Sequence, residues 1–258
     1  MEKPMEETLK DLLAGIGQKR QAILTAKEQS GSAGRTNTTQ ADGLLTSSIE
    51  DQKLEELKRV QELEKHGIAI RYSRTTLEGI ERRGLPDNPS IQTRFKDVCN
   101  YVSHMQSHLR RGEGIIMIGP VGTMKTQLAV SILRKHLDAG GSGMMVAMAT
   151  LLDNLYTMTA MNREECVRYE RRLYNTQLLL IDDLGAENNN PAWIKAKIDS
   201  IISYRYDHMK PTIITTNCSQ QELADTYGGR IFDRVKSNAY CLVFEGPSER
   251  KPLDMGTI

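Results

Sequence analysis

A lysine and a threonine close a glycine-containing loop that directly follows an apolar run at residues 115–118. The loop contains Gly119, Pro120, Val121, Gly122, Thr123, Met124, Lys125 and Thr126. In a strand followed by such a loop, backbone N–H groups surround phosphates, the lysine reaches the terminal phosphates and the threonine hydroxyl ligates magnesium. We therefore predict a P-loop in which all these residues bind a nucleotide, Lys125 acts in catalysis and Thr126 ligates Mg²⁺.

Met124 departs from the usual loop pattern, which has glycine directly before the lysine. A side chain at this position stands where the backbone must approach phosphate closely. The sequence therefore predicts weaker nucleotide binding than in a standard loop and puts turnover in doubt. An ordinary strand-to-helix turn of another α/β protein remains the alternative interpretation of the loop alone.

Two adjacent carboxylates, Asp182 and Asp183, end a second apolar run at residues 178–181. Such a run suits a strand covered on both faces, and ligands of open parallel sheets lie at the carboxyl ends of the strands. We predict that Asp182 is a Mg²⁺ ligand and that Asp183 orients or deprotonates the attacking water. The alternative is an Asp-Asp turn that closes an ordinary strand.

A third strand candidate, residues 211–217, is β-branched and ends at Asn217. We predict that this amide contacts the γ-phosphate or its water and so takes part in catalysis. Asn is also a favoured turn residue, so the prediction depends on the order of the three segments.

Two arginines four residues apart, Arg230 and Arg234, follow a Gly-Gly pair and share one face of a predicted helix. Such arginines can reach across a subunit boundary to a neighbour's γ-phosphate. We predict this catalytic role in trans for Arg234, within a self-assembled oligomer. Ordinary solvated arginines are the alternative.

Together these segments resemble the ATPase core of the AAA+ superfamily, and more closely the DnaC/DnaI-type bacterial helicase loaders and their IstB-like relatives. The resemblance runs from about residue 71 to residue 250, and the segment at 228–235 is its most loader-like part. It implies an ATPase with ATP and Mg²⁺ as cofactors, which binds the replicative hexameric helicase and places it on single-stranded DNA. It also aligns Arg234 with the arginine finger of the family, and Arg250 with a late basic residue near the nucleotide. Asp183 stands where many AAA+ ATPases have Glu.

Alternating helix and strand patterns predict an α/β fold, a parallel sheet with helices on both faces. Few residues follow position 244, so we expect no C-terminal helical lid, as in the loader branch. The predicted strands are 114–118, 143–148, 178–181, 212–216 and 240–244, and the predicted helices include 90–110, 125–139, 191–208 and 220–236.

The N-terminal region divides into a helix at 1–29, a flexible linker at 30–48 rich in Ser, Thr and Gly, and a second helix at 49–66, before an ATPase core at 67–258. The resemblance implies that the N-terminal helices hold the helicase. Their packing on the chain's own core is the alternative.

Four of the five candidate nucleic-acid residues are arginines, and the fifth is a tyrosine: Arg163, Arg168, Tyr169, Arg171 and Arg172. Arginine and tyrosine together can hold phosphates and stack on the bases of a single strand. A solvated helix face balanced by neighbouring glutamates is the alternative. The net charge of +1 argues against a protein that coats duplex DNA.

The four cysteines are scattered without metal-ligand spacing, and no apolar run is long enough to cross a membrane. We therefore expect a cytoplasmic protein without a membrane partner. Two other functions stay open: an IstB-like transposition ATPase that delivers a transposase to target DNA, and a non-hydrolysing helicase adaptor in which Met124 has disabled turnover.

Overall fold

The computed structural model describes residues 38–161, 163–185 and 192–250. The chain divides into two units, Met1–Glu55 and Glu56–Ile258. The predicted helix at 1–29 lies outside the described residues. Within the described part of the chain, no helix combines the length and apolar character needed to cross a bilayer.

Five parallel strands form the sheet, in the order β2-β3-β4-β1-β5. The predicted parallel sheet is thus confirmed, and each strand agrees with its predicted range to within one residue at either end. The strands are β1 (Gly114–Ile118), β2 (Gly143–Ala147), β3 (Leu178–Asp182), β4 (Thr212–Thr216) and β5 (Ala239–Val243).

Alternate residues of the central strands enter two separate hydrophobic clusters, one on each face of the sheet. Ile115 and Met117 of β1 belong to one cluster, and Ile116 and Ile118 belong to the other. Successive side chains of a strand point to opposite faces, so a continuous apolar run is what a sheet covered on both sides requires.

Helices cover both faces of this sheet. After α1 (Thr38–Lys65) come α2 (Leu77–Arg83), α3 (Pro89–Ser103), α4 (Met105–Arg110), α5 (Lys125–Asp138), α6 (Met148–Met161), α7 (Arg163–Asn175), α8 (Ala192–Asp207), α9 (Gln220–Tyr227) and α10 (Gly229–Ser237). Two predicted helices are each divided. The helix predicted at 90–110 breaks at His104, whose backbone leaves the helical region, and the helix predicted at 220–236 breaks at Gly228, whose φ is +91°.

Helix α1 corrects the predicted N-terminal boundaries. It begins at Thr38, so residues 38–48 of the predicted linker are helical. Adding residues to an existing helix costs little compared with nucleating one, so a polar Ser- and Thr-rich stretch can extend it. The second unit begins at Glu56 rather than at residue 67, because Leu63 near the end of α1 is buried in the core together with Ile68.

The segment after α1, residues 66–68, covers the outer edge of β2. The Met145 N–H donates to the His66 carbonyl at 2.8 Å, and His66 Nδ1 lies 2.7 Å from the Gly143 carbonyl oxygen. Gly67 allows this close approach, because a Cβ there would lie 2.0 Å from the Met145 carbonyl oxygen. Residues 66–68 therefore pack along the outer edge of β2.

A buried guanidinium fixes the starts of β3 and β4. Arg205 of α8 is 1% exposed and donates to Thr212 Oγ1 at 2.9 Å. It also donates to the carbonyls of Leu173, Tyr174, Thr176, Gln177 and Pro211. These acceptors satisfy the charge that burial would otherwise leave without partners.

Candidate nucleotide-binding site

The predicted site residues meet at the carboxyl ends of three neighbouring strands. The loop 119–126 follows β1, Asp182 and Asp183 end β3, and Asn217 follows β4. Because β4 lies between β1 and β3, the side chains that end these strands lie close together.

At two positions of the loop, both the positive φ and the close approach of another segment require glycine. Gly119 has φ +152°, and a Cβ there would lie 2.3 Å from the Phe244 carbonyl oxygen. Gly122 has φ +86°, and a Cβ there would lie 2.0 Å from Ser248 Oγ. The backbone N–H of Glu249 also donates to the Gly122 carbonyl at 3.1 Å. The C-terminal segment therefore packs directly against the loop.

Met124 adopts the left-handed conformation, with φ +67° and ψ +5°, at the N-terminus of α5. Its side chain packs against the core cluster on one side and lines the cavity above the loop on the other. The residue therefore keeps the backbone that glycine provides in standard loops, at the steric cost that a Cβ brings to this region.

Met124→Gly is expected to tighten binding of a non-hydrolysable ATP analogue about fivefold, because it removes the side chain beside the phosphates. The ~1 kcal/mol of backbone strain that it also removes is already present without nucleotide and adds to the stability of the fold instead. Met124→Ala is the matched variant, since it shortens the side chain and keeps the strain. Titration calorimetry on both variants separates the two effects. Unchanged or weaker binding by Met124→Gly would show that the methionine does not limit affinity.

Lys125 lies at the centre of the site and is 5% exposed. Its Nζ donates to the carbonyls of Gly119 and Pro120, each at 2.7 Å, and to Asn217 Oδ1 at 2.9 Å. Burial lowers the pKa of this ammonium, and the carboxylates of Asp183 and Asp182 act in the opposite direction. The ammonium thus links the loop after β1 to the residue after β4.

Thr126 and Asp182 form the candidate metal pair. Thr126 Oγ1 donates to Asp182 Oδ1 at 2.9 Å, and Thr215 Oγ1 donates to the same oxygen at 2.6 Å. Burial raises the pKa of Asp182, whereas the hydrogen bonds from Thr215 and Thr126 act against that rise. A hydroxyl and a carboxylate so close together are the oxygen ligands that Mg²⁺ uses beside phosphates.

Asp183 is exposed and turns away from β3 with φ +57°, a conformation that Asp tolerates better than most residues. Its N–H donates to Thr215 Oγ1 at 3.0 Å, and its Oδ1 accepts from Asn217 Nδ2 at 3.4 Å. Thr215, which the sequence did not single out, therefore holds both acidic residues. Asn217 joins Asp183 to Lys125.

A cavity of about 400 Å³ opens above these groups. Its walls include, besides loop residues 121–126, Arg71, Tyr72, Ile80, Arg83, Gly84, Pro86, Gln127, Asp183, Asn217, Glu249 and Arg250. Cations, backbone N–H groups and the hydroxyl–carboxylate pair suit phosphates with a magnesium ion, so the residues present fit both ATP and Mg²⁺. The sequence had named Arg250 as a late basic residue, and the structure places it on this wall.

Arg234 is not among the described residues that line the cavity. It lies on α10 and faces α8, where its Nη1 donates to Ser203 Oγ and lies 3.9 Å from Asp199 Oδ1. Ser203 Oγ in turn donates to Asp199 Oδ1 at 3.0 Å. The side chain of Arg230 lies outside the described part of the structure.

The five candidate nucleic-acid residues, all on α7, do not share one environment. The four arginines Arg163, Arg168, Arg171 and Arg172 are exposed, whereas Tyr169 packs against a core cluster and burial raises its pKa. Arg172 Nη2 donates to the Lys65 carbonyl at 2.8 Å, at the C-terminal end of α1. A cation near the C-terminal end of a helix also interacts favourably with the helix dipole.

Comparison with known proteins gives consistent matches. The family described as IstB-like ATP binding protein matches residues 19–252. The replicative helicase loader DnaC of Escherichia coli strain K12 is 26% identical over an alignment of 201 residues, and the match covers 73% of this chain and 79% of that protein. The IS21 putative ATP-binding protein of Pseudomonas aeruginosa is 26% identical over an alignment of 149 residues, and the match covers 55% of this chain and 54% of that one.

Solved structures agree with these matches. A crystal structure of the DnaC helicase loader has a TM-score of 0.61 and 26% identity, and the match covers 69% of this chain and all of that one. The AMPPCP-bound DnaA of Aquifex aeolicus has a TM-score of 0.53 and 17% identity, and the match covers 67% of this chain and 50% of that one. At this identity the likeness supports the fold and not a function. The AAA+ resemblance recognised in the motifs is confirmed.

Proposed function

Because the chain belongs to the IstB-like ATP-binding protein family, we propose that it is an ATP-dependent loader of a replicative helicase. In this role it binds the hexameric helicase and places it on single-stranded DNA during replication initiation. The observation that carries the proposal is the similarity to DnaC, which extends over most of both chains. Hydrogen bonds connect the P-loop, the two aspartates and Asn217 into a candidate nucleotide site, which an ATP-dependent loader requires.

The residues of the site have distinct tasks in this proposal. The loop N–H groups and the Lys125 ammonium hold the phosphates, while Thr126 and Asp182 hold Mg²⁺. Bound ATP with its metal supplies the transferable phosphoryl group. Asp183 orients the attacking water or accepts its proton, and Asn217 fixes the Asp183 carboxylate on one side and Lys125 on the other.

Hydrolysis is slow in the isolated chain under this proposal, because Arg234, the arginine that we assign to the transferring phosphoryl group, is not among the described residues that line the cavity of its own chain. Arg234 of a neighbouring copy supplies further charge to the site in an assembly. The four exposed arginines of α7 contact single-stranded DNA through its phosphates: Arg163, Arg168, Arg171 and Arg172.

The helicase binds through the region before the core, as the resemblance implies. The test compares the full-length chain with a fragment of residues 56–258, which keeps the buried end of α1. Each is mixed with the hexameric replicative helicase of the same organism, with ATP, and complex mass is measured by native light scattering. We expect a complex with the full-length chain and none with the fragment.

Two controls make this outcome readable. The fragment must bind an ATP analogue as tightly as the full chain, which shows that its core is folded. Equal complex formation by both proteins would place the helicase contact on the core. If neither protein forms a complex, the loader proposal is wrong.

A transposition ATPase is the second candidate, and the similarity to insertion-sequence ATP-binding proteins favours it. That function requires binding to duplex target DNA and to a transposase. Failure to bind helicase together with retention on duplex DNA would support it. The non-hydrolysing adaptor is distinguished by turnover: ATP hydrolysis that Lys125→Ala abolishes would exclude it.

A further inference from the structure

A segment well before the P-loop forms part of the cavity wall. The short 3-10 helix Ile70–Tyr72 places Arg71 and Tyr72 there, more than forty residues before Lys125 in the sequence. Arg71 is exposed to solvent, and its guanidinium carbon lies 4.6 Å from the centroid of the Tyr72 ring. The ring therefore supports a cation above the nucleotide site.

Tyr72 holds this cation beside the P-loop. Its ring packs against the core cluster and is half-buried. Arg71 and Tyr72 line the same cavity as Lys125, Thr126 and Asp183. The guanidinium therefore shares this cavity with side chains that we assign to the phosphates and the metal.

The segment is held in place by the helix that follows the P-loop. Arg134 of α5 is 1% exposed, and its Nη1 donates to the carbonyls of Ser73 at 2.7 Å and Thr75 at 2.8 Å. A longer contact of 3.5 Å reaches the Tyr72 carbonyl. A buried guanidinium with backbone acceptors is costly to lose, so this connection is stiff. The segment is therefore anchored to the helix that follows the P-loop.

We propose that Arg71 contacts the terminal phosphate of bound nucleoside triphosphate within its own subunit, and that Arg134 is the positioning residue that holds it there. This inference rests on the nucleotide binding in the proposed function. It assigns the distinction between triphosphate and diphosphate to the segment Ile70–Tyr72 before the P-loop, in addition to the arginine supplied by a neighbour. A planar guanidinium suits this task because it can donate two hydrogen bonds to one phosphate.

The chain provides a matched control three residues away. The side chain of Arg74 is 80% exposed, and it is paired with Glu56 outside the cavity. Arg71→Ala and Arg74→Ala remove the same charge from the same segment. Titration calorimetry would measure the dissociation constants of a non-hydrolysable ATP analogue and of ADP for both variants and for the unaltered chain, with Mg²⁺ present.

Arg71→Ala is expected to weaken the ATP analogue by ~10-fold, the loss of one charge-assisted contact, and ADP by less than ~3-fold. Arg74→Ala should change neither constant. Equal losses for both nucleotides, or an Arg71→Ala variant that behaves as Arg74→Ala, would overturn the inference. If the unaltered chain binds neither nucleotide, the proposed function fails instead, and the two failures are distinct.

Arg134→Lys tests the positioning role, because it keeps a charge but not the planar fork. We expect it to reduce the preference for the ATP analogue over ADP at a temperature where circular dichroism shows the protein folded. In an Arg71→Ala background the same change should leave the preference unaltered. Full additivity of the two changes would show that Arg134 acts independently of Arg71. Should Arg134→Lys not fold, the Arg71 and Arg74 pair still decides the inference.

Discussion

Lys125→Ala is expected to weaken the binding of ATP by ~100-fold or more and to abolish turnover. The ammonium is buried among the loop carbonyls and Asn217, where phosphate oxygens offer it charged acceptors, and two charge-assisted hydrogen bonds are worth about this much. Removing it also leaves the two acidic side chains without their central cation. Titration calorimetry with a non-hydrolysable analogue gives the dissociation constant directly.

Lys135→Ala is the matched control for this loss. Lys135 is on the same helix, but its side chain is 53% exposed and pairs with Glu78 on the surface. It should bind the analogue as the unaltered chain does. If Lys125→Ala binds within threefold of that value, the loop does not hold the phosphates in the way that we describe.

Arg234→Ala is expected to reduce assembly-dependent ATP turnover by ~1000-fold, the lower range for an arginine that stabilises a transferring phosphoryl group from a neighbouring subunit. The affinity of the isolated chain for ATP should not change, because the described cavity wall does not include Arg234. Turnover is measured across protein concentrations with and without single-stranded DNA, so that assembly is included.

Mixing variants tests whether Arg234 acts in trans. Lys125→Ala lacks a working nucleotide site but retains Arg234, and Arg234→Ala has the opposite defect. Equal amounts of both should restore measurable turnover, because each mixed interface can combine an intact site with an intact arginine. No recovery in a mixture that assembles would refute the role in trans.

Ser203→Ala controls for the internal contact of Arg234. It removes the hydrogen bond that holds the guanidinium against α8 and leaves the arginine itself. We expect this variant to keep assembly-dependent turnover. A loss as large as that of Arg234→Ala would mean that Arg234 matters through its packing on α8.

The central strands and the site at their ends could be predicted because the information is local in the sequence. A strand covered on both faces needs an unbroken apolar run, and chemistry at the edge of the sheet needs polar residues directly after it. The apolar run at 115–118 is followed by the loop that contains Lys125, and the apolar run at 178–181 is followed directly by Asp182. The parallel orientation of the strands then follows from the alternation of helices and strands.

The rest depends on contacts between distant parts of the chain. Arg134 and Arg205 read in the sequence as ordinary helix arginines, yet both are 1% exposed and bind carbonyls of remote segments. Arg172 likewise has a remote acceptor, the Lys65 carbonyl, that the sequence does not indicate. The pattern gave no sign of these partners, because a guanidinium finds its acceptors only after the chain has folded.

The segment at residues 66–68, which covers the outer edge of β2, affects whether fragments of this protein associate in solution. An open edge strand presents unpaired backbone groups to which another chain can add, which leads to aggregation. A fragment that begins at Gly67 loses His66 and with it the acceptor for the Met145 N–H. Such a fragment would associate through its exposed edge, and that association would be mistaken for the ATP-dependent assembly in which Arg234 is proposed to act.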